Sequence, residues 1–188
     1  MNPAEDHWIA DVLLQFRKYK KLAEGALAQV SDADFVRTID PESNSIALVV
    51  KHLAGNMRSR WTDFLTSDGE KPDRNRDSEF VIEPRDTRAE LERRWNEGWH
   101  LAISALEPLS AGDLTRTVQI RGEAHSVLRA INRQISHYAY HVGQLVFLAK
   151  HFAGSQWKTL SIPRARSEEV NARARNSSSG GDTKPSGH

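Results

Sequence analysis

Between Leu128 and Ala149 the apolar residues fall at three- and four-residue steps: Leu128, Ile131, Ile135, Tyr138, Val142, Leu145 and Ala149. That is the period of one face of an α-helix, and a helix this long must lay that face against other elements. Three further stretches repeat the pattern. Trp8, Val12, Phe16, Tyr19, Leu22, Ala26 and Val30 step along 5–30, and Ile46, Val49, Val50, Leu53, Met57 and Phe64 along 44–65. Leu91, Trp95, Trp99, Ala102, Ile103 and Leu106 do so along 87–106. Capping residues stand where these helices would begin or end. Ser31 precedes a short helical turn, Ser43-Asn-Ser45 precedes the second long helix, and Thr87 with Glu90 fits a capping box. Gly154 follows the last long helix, predicted over 126–152. The pattern predicts an all-α bundle of four long helices. One segment departs from it. Thr117-Val-Gln-Ile-Arg121 alternates apolar and polar, and Gly122-Glu123 offers a turn, so a small hairpin or extended bracket is expected just before the last long helix.

A chain of 188 residues suits one domain with a sizeable core, here placed over residues 1–166. From Ser167 onward almost no apolar residue remains, and 167–188 is expected to be a disordered tail. The 26 basic and 25 acidic side chains leave a net charge of +1. That balance gives no reason to expect nucleic acid or a membrane surface as a partner. No apolar run approaches the ~20 residues that span a bilayer. The first residues, Met-Asn-Pro-Ala-Glu-Asp, lack the basic and apolar regions of a signal peptide, so a cytoplasmic protein is expected. Cysteine is absent. A disulfide framework, a thiolate nucleophile and a Cys-bearing zinc site are thereby excluded, and any thiol chemistry must bring its thiol from outside.

The chemistry-bearing residues are histidines. His137 and His141 are four apart and share one helix face, the spacing at which two imidazoles can hold one metal ion. They lie on the flank of the apolar stripe, beside Gln134, Gln144 and Leu148, which turns them toward a seam between helices. Tyr138 stands where the metalloprotease motif HExxH has its glutamate, so that motif is not present. The alternative is a pair of satisfied, partly buried histidines packed with tyrosines. His52 is similarly offset from the stripe of its helix, beside Ser45, Leu48, Asn56 and Ser59, and reads either as a core histidine or as a third ligand. Three imidazoles with an open position would make a site of the catalytic kind, suited to Zn²⁺ and tolerant of Ni²⁺ or Fe²⁺. Asn56 and Gln144 each lie about one turn from a ligand and could support the rings. The polar connection 66–86 is long enough to suggest a function. Its Arg74 and Arg76 could bind an anion or be solvated charges. His7 and His100 read as surface residues, and His125 as part of a rim. A general base for hydrolysis could come from Asp63, Glu123 or His125.

Several separated motifs carry a resemblance. Lys51-His-Leu-Ala-Gly-Asn56, Arg60-Trp-Thr-Asp-Phe-Leu-Thr-Ser-Asp-Gly-Glu-Lys-Pro72 and His137-Tyr-Ala-Tyr-His-Val-Gly-Gln144 resemble the DinB-like (YfiT-like) superfamily of metal-binding four-helix bundles. Arg121-Gly-Glu and Trp157-Lys-Thr-Leu-Ser-Ile-Pro163 extend the match to a bacterial subgroup of unassigned function, over about residues 5–170. The superfamily has one histidine early in its second helix and HxxxH in its last, and His52, His137 and His141 match these. The resemblance implies a divalent-metal site on those three residues. It also implies a metal-dependent transferase working with a low-molecular-weight thiol of the bacillithiol or mycothiol kind, and a homodimer. On that reading Arg74, Arg76 and Arg121 would bind a small-molecule substrate. A metal-dependent hydrolase and a non-enzymatic structural or binding bundle are the competing expectations.

Overall fold

The structure, a computed structural model, describes residues 3–179, and its chain is mostly helical. Helix α1 covers Pro3–Leu27, the short α2 Asp32–Val36, α3 Ile46–Trp61, α4 Arg88–Leu106 and α5 Val127–Ala153. A two-stranded antiparallel sheet, β1 Thr117–Ile120 and β2 Glu123–Ser126, stands between α4 and α5. The starts of four of these helices follow from serine and threonine caps. Ser31, Ser45, Thr87 and Ser126 each accept a hydrogen bond from the backbone N–H three residues on, satisfying a donor that the helix itself leaves orphaned. The reverse half of the expected Thr87–Glu90 box is absent, because Glu90 is drawn outward by Arg93 and Arg94. Helix α3 ends at Trp61, short of the expected 65, where Thr62 turns extended and Asp63 takes φ 49°. The hairpin turn, Arg121-Gly122, has positive φ at both residues, the conformation that matches the twist of two joined strands.

Residues up to Gln156 form one compact unit. Within it α3 packs on α4, α1 on α5, and α3 on α5. Each of the four long helices sends one large aromatic ring to the centre: Phe16, Trp61, Trp99 and Tyr138. Phe16 meets the other three edge-on at 5.8, 5.9 and 5.3 Å between centroids. Such pairs contribute about 0.5–1.5 kcal/mol each beyond the area they bury. The Tyr138 hydroxyl accepts from Trp61 Nε1 at 2.7 Å and donates to Asn56 Oδ1 at 3.3 Å. This knot fixes the rotation of α5, since Tyr138 cannot leave the core without unpairing two buried groups. Of the expected α5 stripe, Leu128 is exposed, and Val127 and Ala130 take its place in the core. The stripe drifts at the helix start because the hairpin, through Val118 and Ile120, covers that end from a different side.

The 66–86 connection is bound down along its length. Asp68 accepts from the N–H groups of Arg121 and Gly122 at 2.9 and 2.8 Å, and Gly69 N–H donates to Gln119 O at 2.9 Å. Ser59 of α3 donates to Gly69 O and accepts from Lys71 N–H. Farther on, the buried Lys51 ammonium meets Asp86 and Val81 O, both at 2.7 Å. A 3-10 turn at Asp77–Phe80 sits between these anchors.

Residues from Trp157 form a second unit. It contains α6, Ser167–Ser179, in the stretch expected to lack structure. Helix formation there follows local propensity rather than a core. Glu168 and Glu169 occupy its first turn, where negative charge is favoured, and Arg166 donates to Glu169. Residues 180–188 of the expected tail lie outside the described residues. No described helix is long and apolar enough to cross a membrane.

Candidate metal centre

Because Tyr138 points inward, its neighbour His137 is turned to the side facing α3, and His141 follows one turn later. His52 meets them from α3. One ring nitrogen from each of His52, His137 and His141 lies within 4.8 Å of the others. His52 Nε2 and His137 Nε2 are 3.2 Å apart. Two nitrogens at about 2.0–2.1 Å from one tetrahedral ion would be roughly 3.3 Å apart. The three residues therefore suit a divalent ion in donor type, and the His52–His137 pair already stands at that spacing.

Two of the three far nitrogens are held by partners. His52 Nδ1 faces Glu79 Oε2 at 2.8 Å, and His141 Nδ1 faces Gln144 Oε1 at 2.7 Å. Both partners accept an N–H, which leaves the Nε2 lone pairs free to ligate. Gln144 Nε2 in turn donates to the Tyr140 hydroxyl at 3.1 Å. Glu79 is itself gripped by Arg74, whose Nε and Nη2 donate to its two oxygens at 2.8 and 2.9 Å. Burial raises the Glu79 pKa, but the bonds from His52 and Arg74 outweigh it and hold the carboxyl below its ordinary range. Burial lowers the pKa of His137 to about 3, helped by His141, His52, Arg60 and Arg74. Burial likewise lowers His141 to about 4, against the raising effect of the Gln144 bond. Both rings are thus neutral, and available as ligands, at neutral pH.

A cavity of about 420 Å³ opens over the histidines. Its wall includes five arginines, Arg60, Arg74, Arg76, Arg121 and Arg133, and no carboxylate. Phe80 and Tyr140 supply its aromatic surface. A larger space, about 900 Å³, lies away from the histidines in the groove that α3 and α4 form with the connection. Acidic and basic side chains of both signs line that groove and carry no comparable convergence of ligating atoms.

The residues singled out from sequence are distributed as follows. His52, His137 and His141 come together. Gln144 is hydrogen-bonded to His141. Asn56 lines the cavity, but its hydrogen bond goes to Tyr138 and not to an imidazole, so it positions α5. Arg74, Arg76 and Arg121 all reach the cavity. Arg74 is committed to Glu79 and Glu70, and Arg121 pairs with Glu70 at 3.2 Å. Arg76 stacks on Phe80. Asp63, Glu123 and His125 do not line the cavity. His125 is buried in the hairpin, its Nε2 3.7 Å from Glu123. His7 and His100 are exposed.

Sequence reasoning missed Glu79, the arginines Arg60 and Arg133, and Tyr140. A signal for Glu79 does exist. Gly55, one turn after His52, would place a Cβ only 2.3 Å from Glu79 Oε1. A glycine inside an otherwise regular helix often marks close approach of another group.

A family model described as "Protein of unknown function (DUF1572)" matches residues 4–166. No curated protein matches the chain.

Proposed function

We propose that this chain, which belongs to the DUF1572 family, binds a divalent metal on His52, His137 and His141 and works as a transferase with a low-molecular-weight thiol. The convergence of three imidazoles beneath a solvent-open cavity carries the reading. Zn²⁺ or Ni²⁺ suits the donor set best, and Fe²⁺ is also accommodated. The motif resemblance to the DinB-like four-helix bundles supports the same assignment. Bound there, such an ion would act as a Lewis acid and lower the pKa of a thiol brought to it.

The chain's own residues have separable tasks. Glu79 holds the Nδ1–H of His52 and so fixes which ring nitrogen faces the site. Gln144 does the same for His141. The arginines attract and orient an anionic reactant, and Phe80 and Tyr140 cover its apolar portion. The protein holds no cysteine, which agrees with a thiol arriving from solution. A hydrolytic reading is less well supported, because no carboxylate stands in the cavity wall to serve as base. On the same reading the chain pairs as a homodimer.

The test is spectroscopic. Cobalt-substituted protein is titrated with bacillithiol, mycothiol and glutathione, and a thiolate-to-cobalt charge-transfer band is expected with at least one of them. If none of the three perturbs the visible spectrum, the thiol transferase reading fails.

A further inference from the structure

Arg60 is a buried cation beside the three histidines. It lies on α3, is 3% exposed, and lines the cavity over the histidines. Its Nε and Nη1 have no hydrogen-bond partner. Its nearest carboxylate, Glu70, is 3.7 Å from Nη2, beyond hydrogen-bonding distance. Burial lowers its pKa, yet a guanidinium stays charged. A buried cation with two orphaned donors is costly unless something answers it. Gly69 gives it room: a Cβ there would come within 2.7 Å of Arg60 Nη1.

The surrounding charge points the same way. Of the five arginines in the wall, Arg74 and Arg121 are answered by Glu79 and Glu70. The Arg76 guanidinium is engaged only with the Phe80 ring, and the Arg133 guanidinium has no hydrogen bond or ion pair among the described residues. Five guanidinium charges against two carboxylates leave three unanswered around one cavity.

We propose that this cavity is a built oxyanion site, in which Arg60, Arg76 and Arg133 bind a carboxylate or phosphate group of a multiply charged reactant beside the three histidines. The proposal rests on the cavity being the substrate face of the three-histidine site, and it names the substrate class: a small molecule carrying at least two negative charges. Arg60, buried in the cavity wall, supplies fixed positive charge close to the histidines. Arg76 and Arg133 are exposed and supply capture from solution.

The experiment uses the full chain freed of metal by chelation and dialysis, in low-salt Tris buffer, so that an anion cannot bind through an ion. Sodium phosphate, succinate and the neutral succinamide are titrated calorimetrically. Saturable binding of phosphate or succinate is expected, with none of succinamide, and the tighter of the two names the group preferred. Arg76→Gln and Arg133→Gln should each weaken it by at least about tenfold, a loss typical of one charge-assisted contact. Arg129→Gln, an exposed charge on the same helix outside the cavity, should leave it unchanged. Arg60→Lys keeps the charge but loses the fork and should weaken binding while the melting curve stays cooperative. Absence of saturable binding by the parent, or equal losses in Arg129→Gln and Arg133→Gln, would overturn the proposal. Metal binding is measured separately, so failure here leaves the three-histidine reading standing and the two failures are told apart.

Discussion

At the scale of single residues, the two α5 histidines make the site sensitive to acid. In the folded chain His137 and His141 titrate near pH 3 and 4, against an ordinary value of 6.5. A folded-state pKa below the unfolded one means that the unfolded chain binds more protons as pH falls past 6.5. Above that pH neither ring contributes to the pH dependence. Below it, stability of the metal-free protein should fall steadily toward pH 4. The measurement is the melting temperature of metal-free protein between pH 7 and 5, before most carboxylates titrate. The parent should lose stability across this window, and His137→Ala/His141→Ala should show a flatter dependence. Equal slopes for parent and variant would contradict the assignment. The candidate pair itself is legible in sequence because four-residue spacing survives folding unchanged. Which ring nitrogen His141 turns to the site is not, since that depends on its hydrogen bond with Gln144.

At the scale of elements, the decisive piece is the connection between α3 and α4. It has no hydrophobic period, and its one short 3-10 turn places Glu79 beneath His52, 27 residues away in sequence. Its length points to a function and its arginines read as anion ligands, yet one of them, Arg74, clamps Glu79. No local rule distinguishes those roles, because the difference lies in which carboxylate the fold brings near. Glu79→Gln removes the negative charge that Arg74 and His52 share. Zinc affinity should drop on the order of 10–100-fold, the usual effect of losing a ligand's hydrogen-bonded partner. Competition titration with a chromogenic chelator measures this, and an affinity equal to the parent's would show that Glu79 does not orient His52. The helices were more readable. Ser31, Ser45, Thr87 and Gly154 mark real termini, and the α3 stripe is buried at every expected position. The α6 helix was not read, because its residues lack an apolar face and owe their helicity to end charges.

At the scale of the whole molecule, the core and the site are one construction. Four aromatic rings, one from each long helix, set the rotation of α3 and α5, and the histidines stand beside that knot on the same two helices. The hairpin and the connection then close one side, tied to each other through Asp68 and to α3 through Ser59 and Lys51. The apolar periodicity made the helical architecture legible, whereas the electrostatics of the cavity could not be read from a net charge of +1. That near-neutral total conceals five arginines gathered on one wall. The most direct test of the account is metal content by elemental mass spectrometry, on protein without an affinity tag after incubation with Zn²⁺, Ni²⁺ or Fe²⁺ and desalting. The parent should retain close to one equivalent of a divalent metal, and both His52→Ala and His137→Ala/His141→Ala should lose it while remaining folded. A folded parent that retains no metal under any of these conditions would contradict the account, and the three histidines would then be packing residues.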